Sequence, residues 1–143
     1  MTPSRAEIER AVRASWTAAS CDPVDLPDWS PANAARGQCG ATALVVQDLL
    51  GGELLEAEVR NADGSHQGVH YWNRLAGGEE LDLTREQFAA TEVVQAPVVV
   101  ERPPDLSRAR TIAQYRALAA AVRSALSPAA AAPAGARSSR PGS

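Results

Sequence analysis

Cys39, His70 and Asp82 are the side chains of this sequence best suited to nucleophilic chemistry. Cys39 stands between a short glycine-containing stretch and a run of apolar helix formers, so we expect it at a helix N-terminus. There the aligned peptide dipoles stabilise a thiolate and lower the thiol pKa, and N–H groups without helical partners can hold an oxyanion. The alternative interpretation is a small buried core residue.

His70 lies in the central one of three predicted strands. A neutral imidazole there could deprotonate Cys39 or pair with its thiolate. Because side chains alternate along a strand, His70, Trp72 and Arg74 share one face and Asn73 lies on the other. The alternative is a structural histidine whose ring is satisfied by hydrogen bonds.

Asp82 follows His70 across the glycine-containing loop of residues 76–78. If all three loop residues form the turn, pairing centres on Gly77, and Asp82 lies opposite Trp72 and diagonal to His70. Side chains can bridge that separation, so Asp82 would orient the ring and stabilise its protonated form. A two-residue turn would direct Asp82 to the opposite face. The alternative role for Asp82 is to cap the helix that follows.

A second group of residues is a candidate for contacts with a substrate or an oxyanion: Gln38, Trp72, Asn73, Arg74 and Trp16. Gln38 could donate to an oxyanion, and Asn73 could replace Asp82 in orienting the histidine, although its predicted face is wrong for that. Arg74 could bind a substrate carboxylate, and the two tryptophans could line a pocket. The alternatives are a solvated arginine at a strand end and tryptophans packed in the core.

The elements that position these residues begin with two helices. Ser4 and Glu7 form a capping box that predicts a helix over residues 4–16, and a second helix runs from near Cys39 to Gly51-Gly52. Three strands follow at residues 53–60, 67–75 and 79–83. Hairpin signals separate them, so an antiparallel meander is expected.

The rest of the chain predicts one short helix, one extended segment and one long helix. Thr84 and Gln87 indicate a second capping box, which opens a short helix through Phe88. Residues 93–101 are extended, and residues 105–126 form a long packing helix. Residues 127–143 contain only Ala, Pro, Ser, Gly and Arg, so disorder is expected there. The prediction is a single α+β domain over residues 1–126, with the Cys-bearing helix packed on a small antiparallel sheet and flanked by helices.

The composition is that of an ordinary globular domain, with 45% hydrophobic residues, 22% charged residues and a formal net charge of −3. It favours neither nucleic acid nor an acidic membrane surface as a partner. The N-terminus lacks the apolar core of a signal peptide, and no apolar run reaches about 18 residues. We therefore expect a cytoplasmic protein that acts on a small-molecule substrate and whose two cysteines are free thiols.

Two other functions remain open. Cys39, His66, His70 and Asp82 are acceptable zinc ligands, but the sequence has no Cys-x-x-Cys pair and no His-Glu-x-x-His motif. We therefore assign no metal and no cofactor. In the second alternative, the protein is a non-catalytic small-molecule binding module, in which His70 and the aromatic residues shape a pocket and Cys39 is structural.

Three ordered segments, RGQCGATALVVQDLLGGELL, HYWNRL and ELDLTREQF, with SW and PDWSPANAARG upstream, resemble the YunG-like family of small bacterial proteins. The order of a cysteine opening a helix, a histidine in a strand and an acid in the next strand resembles papain-like and transglutaminase-like cysteine enzymes. The resemblance covers about residues 6–90 and implies a papain-like fold with Cys39, His70 and Asp82 as catalytic residues. It implies hydrolysis or acyl transfer on a small amide, thioester or other electrophilic substrate.

Overall fold

The computed structural model describes residues 2–127. Within them lie the helices α1 (Arg5–Ser15), α2 (Cys39–Leu50) and α3 (Ile112–Leu126), and the strands β1 (Glu53–Arg60), β2 (His66–Arg74), β3 (Glu80–Leu81), β4 (Val93–Val94) and β5 (Val98–Val100). Short 3-10 turns occupy Ala18–Ser20, Pro23–Asp28, Arg85–Gln87 and Leu106–Arg108. The predicted α+β class is confirmed. No helix in this part of the chain is long and apolar enough to cross a bilayer.

Local signals at the ends of α1 and α2 act as predicted. The Ser4 hydroxyl accepts the N–H of Glu7, and the Glu7 carboxylate accepts the N–H of Ser4. This capping box satisfies two N–H groups that a helix start leaves without partners. At the other signal, α2 ends at Gly51, whose φ of 75° is unfavourable for residues with a Cβ.

The sheet is antiparallel with strand order β3-β2-β1-β4, and β5 pairs with β1 beside β4. Asn73 pairs with Leu81 and Arg74 pairs with Glu80, so the β2–β3 hairpin centres on Gly77. The three-residue turn is therefore confirmed, although β3 is shorter than the predicted residues 79–83. Continuing the same register places Asp82 opposite Trp72.

The two faces of the sheet pack against different neighbours. On one face, Leu81 and Leu83 join the main core, which contains Val46 of α2, Val12 of α1, Leu118 of α3 and other apolar residues. The opposite face carries a second, smaller cluster of Leu55, Ala57 and Trp72, against which Val94 packs. Alternation along β2 therefore puts His70 and Trp72 on the face away from α2.

One predicted local signal is wrong. The Thr84 side chain makes no capping hydrogen bond, and the segment forms a 3-10 turn. Gln87 instead turns inward: its Oε1 accepts the N–H of Gly37 at 3.1 Å, and its Nε2 donates to the Thr84 carbonyl at 3.1 Å. A long-range partner has replaced the local one, because the buried N–H of Gly37 needs an acceptor.

The C-terminal part follows its predictions only in outline. The extended segment of residues 93–101 forms β4 and β5, which pair with the edge of β1 that β2 leaves free. The last helix begins at Ile112 rather than near Asp105, because Asp105 caps a separate 3-10 turn. The predicted disorder of residues 127–143 falls, except for Ser127, outside the described residues.

Candidate functional site

Cys39 is the first residue of α2 and is partly exposed. Its position at the helix start is the predicted one. The backbone N–H of Gly40, in the same first turn, is directed at the Cys39 sulfur. A helix start offers such N–H groups because its first turn has no preceding carbonyl to accept them. The side chain therefore lies beside backbone hydrogen-bond donors and lines a cavity described below.

His70 and Asp82 form a direct hydrogen bond of 2.7 Å between Nε2 and Oδ2. A carboxylate can only accept, so Nε2 carries the ring proton and donates it. The His70 side chain has no exposed surface, and its ring lies between Trp72, stacked at 5.2 Å, and Phe88, edge-on at 4.8 Å. The predicted diagonal contact exists, and it holds the ring in one tautomer and one orientation.

The other ring nitrogen of His70 is left without a partner. Nδ1 is buried and makes no hydrogen bond within residues 2–127. In the neutral ring, the tautomer that the aspartate selects leaves the lone pair on Nδ1. A buried polar atom without a hydrogen-bond partner is energetically unfavourable and needs an explanation. A reacting group that donates a proton to Nδ1 would provide that explanation.

Asp82 also accepts a hydrogen bond from Nε of Arg85 at 2.6 Å. Burial acts to raise the pKa of Asp82, but the hydrogen bonds and charges of His70 and Arg85 outweigh it and hold the pKa below its usual value. The guanidinium of Arg85 lies 5.0 Å above the Trp72 ring. Asp82 is therefore a firmly ionised carboxylate beneath the histidine.

The Cys39 thiol lies next to Tyr71, the residue that follows His70 on β2. Leu75 donates its N–H to Glu79 in the β2–β3 hairpin, and every second residue of an antiparallel strand points its N–H to the same side. The N–H of Tyr71 thus points towards β3, which has already ended. This N–H lies close enough to the Cys39 sulfur to act on the thiol, where it lowers the pKa. No hydrogen bond joins Cys39 to His70 in the described chain.

The resting thiol of Cys39 is neutral. Burial raises its pKa to about 11, and the nearby carboxylates Asp25 and Asp82 add to this effect. The N–H groups of Tyr71 and Gly40 act in the opposite direction but are outweighed. The prediction of a lowered pKa from the helix N-terminus is therefore wrong, because desolvation of the charged form exceeds the favourable contacts with N–H groups.

Gln38 and Asn73 are buried and bind backbone carbonyls. The amide nitrogen of Gln38 donates to the Thr17 carbonyl at 2.9 Å, which engages the group that was a candidate oxyanion donor. The amide nitrogen of Asn73 donates to the Ala43 carbonyl of α2 at 2.9 Å. Asn73 therefore fastens α2 to the sheet from the face opposite His70, and Asp82 is the residue that contacts the ring.

The remaining candidates lie outside the cavity that Cys39 lines. Trp16 packs in the main core and donates its indole N–H to Thr42 at 3.0 Å. Trp72 is also buried, and its indole N–H binds Glu80 at 2.8 Å. Arg74 is a partly exposed residue at a strand end, 3.6 Å from a Glu53 oxygen. Of these three, only Trp72 lies beside the His70–Asp82 pair.

A cavity of about 780 Å³ opens beside Cys39. Sequence reasoning missed most of its wall, because the wall comes from segments distant in the chain: the loop of residues 20–40, strands β1 and β2, and residues 100–114. Tyr71 and Phe88 also line it. The volume lies within the range of about 300–1,000 Å³ that is usual for small-ligand sites.

Among residues 2–127, no three His, Cys, Asp or Glu side chains come together in an arrangement that could bind a zinc ion. His66, one of the four candidate ligands, is exposed and binds Glu58 at 2.8 Å.

Comparison with known proteins places the chain in a family. The model of the YunG protein family matches residues 4–127. The chain belongs to the YunG family. Its sequence is 34% identical over 76 residues to the Bacillus subtilis (strain 168) protein described as "Uncharacterized protein YunG", an alignment that covers 53% of this chain and 55% of that protein. The match thus spans about half the length of the curated relative, and no solved structure matches.

The YunG match extends from the cap of α1 to the residue that follows α3. Cys39, the His70–Asp82 pair and the residues that line the cavity beside Cys39 therefore all lie within the YunG region of the chain.

Proposed function

We propose that this protein is a cysteine-dependent hydrolase or acyltransferase for a small amide, thioester or other electrophilic carbonyl substrate. The observation that carries the proposal is the buried Nδ1 of His70, a base without a partner whose ring is held by Asp82. The next residue along β2, Tyr71, already contacts the Cys39 sulfur through its N–H. The proposal includes a papain-like or transglutaminase-like arrangement of these three side chains.

In the proposed reaction, His70 acts as a general base towards a neutral thiol. The proposal requires the S–H of Cys39 to come within reach of Nδ1, which takes the proton as sulfur attacks the substrate carbonyl carbon. The N–H groups at the start of α2 hold the resulting oxyanion. His70 then returns the proton to the leaving group as the bond to that group breaks, which leaves an acyl thioester on Cys39.

The second half of the reaction releases the acyl group. Water or an amine attacks the thioester carbonyl while Nδ1 accepts a proton from it, and the Cys39 sulfur leaves and regains the proton. Asp82 stays ionised throughout and stabilises the imidazolium that forms twice in each cycle. No oxidant or metal ion takes part in these steps.

Acylation by phenyl thioacetate, followed by intact mass and peptide mapping, tests the proposal. We expect one acetyl group on Cys39, and its absence in Cys39→Ala. His70→Ala should slow acylation by about 10²- to 10⁴-fold, the usual contribution of a general base, and Asp82→Asn should slow it less. His70→Gln, which keeps a similar volume and polarity, guards against a loss that comes only from the empty space.

Cys21→Ser is the matched control, because Cys21 is buried and lies outside the cavity lining. It should leave the rate unchanged. Equal acylation rates in the native protein, His70→Ala and His70→Gln would refute the catalytic assignment.

A non-catalytic binding module is the second candidate, favoured by the cavity and by the neutral state of the thiol. It predicts that small molecules bind in the cavity and leave unchanged, with no dependence of Cys39 acylation on His70.

A further inference from the structure

The side chains that line the cavity carry more negative than positive charge. Its two arginines are already paired: Nε of Arg36 lies 3.2 Å from Asp25 and its Nη1 lies 3.7 Å from Glu92, while Arg110 binds Asp22. These pairs use the available positive charge for structural contacts. Each guanidinium therefore has its charge balanced by at least one carboxylate.

Three further carboxylates of the lining, Asp28, Glu56 and Glu101, form no ion pair within the described residues. Glu56 pairs across the sheet with Tyr71, the residue of β2 whose N–H acts on the Cys39 thiol. Burial raises the pKa of the Tyr71 hydroxyl, and the charge of Glu56 raises it further. The charge of Arg110 acts in the opposite direction but is outweighed. Five carboxylates and two guanidiniums line the cavity, so its lining carries a net negative charge.

The rest of the lining is suited to an aliphatic body that carries a hydrogen-bond donor. Leu44, Leu54, Val69 and Leu106 contribute apolar wall. Gln114 also lines the cavity, and its Oε1 is a buried acceptor without a hydrogen-bond partner in the described part of the chain. An unsatisfied acceptor in such a wall is stabilised by a donor on a ligand.

We infer that the cavity beside Cys39 selects a positively charged substrate, a primary amine or guanidinium compound with a short aliphatic chain, which the unpaired carboxylates hold near the thiol. The inference rests on the proposed function when the compound is an acyl donor or acceptor. The charge selection itself is a property of the cavity, so it can be measured without turnover.

Methanethiosulfonate reagents of opposite charge test the selection directly at Cys39. The sulfur attacks the sulfenyl sulfur of the reagent, a mixed disulfide forms, methanesulfinate leaves and the thiol proton passes to solvent. The trimethylammonium-ethyl and sulfonatoethyl reagents have similar chains, and the ratio of their rates on the protein unfolded in urea corrects for intrinsic reactivity. We expect the folded protein to favour the cationic reagent by roughly tenfold or more beyond that ratio at low salt, from unit charges several Å away.

Substitutions locate the source of the preference. Glu56→Gln and Glu101→Gln should each reduce the charge ratio by roughly two- to threefold, and added salt should reduce it as well. Glu86→Gln removes one charge from an exposed residue outside the cavity and should leave the ratio unchanged. Equal ratios in folded and unfolded protein, or an equal effect of all three variants, would overturn the inference.

Amide spectra with hexylammonium and hexanoate provide a second readout that does not need a reactive thiol. The ammonium compound should shift the amide signals of Tyr71 and Gly40, and hexanoate should not. Equal shifts from both, or from neither, would overturn the inference. If the charge ratio and the ammonium shifts hold while acylation proves independent of His70, the proposed function fails and the cation selection stands. If acylation depends on His70 but the charge ratio and the ammonium shifts are absent, the cation selection fails and the proposed function stands.

Discussion

The pH dependence of Cys39 alkylation is a direct consequence of its environment. With a pKa of about 11, the thiol should react with iodoacetamide about tenfold faster for each pH unit between pH 7 and pH 10. A plateau at neutral pH, which a thiolate paired with an imidazolium would give, should not occur.

The magnitude at pH 7 follows from two opposing factors. A thiol with this pKa is ionised in about one molecule in 10⁴, whereas an ordinary thiol with a pKa near 8.5 is ionised in about 3%. The more basic thiolate is intrinsically more nucleophilic, by about tenfold for a Brønsted slope near 0.45. Cys39 should therefore react roughly 20- to 30-fold more slowly in the folded protein than in the unfolded chain.

Trypsin separates the two thiols, because the basic residues of this chain are all arginines and cleavage after Arg36 and Arg60 isolates Cys39 from Cys21. Mass spectrometry of the two peptides then gives a rate for each thiol. Cys21 is the internal reference: burial also raises its pKa to about 11, and it is only 1% exposed, so it should react still more slowly. Alkylation of Cys39 at pH 6 to 7 as fast as in the unfolded chain would refute the reasoning from burial.

Two stability predictions follow from the surroundings of the site. Gly37→Ala would put a Cβ 2.6 Å from a buried cysteine sulfur at a φ of 72°, so we expect the free energy of unfolding in urea to fall by about 2–4 kcal/mol. Gly40→Ala is the control, because a Cβ there meets nothing within 4 Å, and it should be neutral or slightly stabilising. Equal effects of the two substitutions would contradict this prediction. Asp82→Asn should cost about 1.5–3 kcal/mol at pH 7. Because the pKa of Asp82 is lowered on folding, this contribution exists above about pH 4 and disappears as pH falls through the folded pKa, so a difference that stayed constant down to pH 3 would contradict the assignment.

The parts of the site that sequence reasoning predicted are those with local causes. The start of α2 at Cys39 follows from apolar periodicity between two glycine-containing segments, and its end from the positive φ of Gly51. The placement of Asp82 beside His70 follows from one turn length, because a hairpin register is determined by its loop. In each case the deciding residues are close together in the sequence.

The predictions that are wrong depend on contacts between residues that lie far apart in the sequence. The inward turn of Gln87 depends on the N–H of Gly37, fifty positions away, and no pattern around Thr84 indicates it. The pKa of Cys39 depends on how much protein covers the thiol. That cover comes from the loop of residues 20–40 and from residues 100–114, whose approach is a matter of tertiary packing. A helix N-terminus identified from sequence therefore gives the sign of one contribution to the pKa, and burial can reverse the total.

This reversal changes the kind of catalysis that the site can support. A thiolate–imidazolium pair stores the proton on the histidine before the substrate arrives, and it requires the charged thiolate to be stable in the empty site. Here burial, together with the charges of Asp25 and Asp82, keeps the thiol neutral, while Asp82 also holds Nε2 and leaves Nδ1 without a hydrogen-bond partner among the described residues. The same carboxylate thus disfavours ionisation of the cysteine in advance and favours protonation of the histidine during attack. Proton transfer coupled to carbon–sulfur bond formation is compatible with both effects. A positively charged substrate bound near Glu56 would stabilise the negative charge on sulfur as it develops.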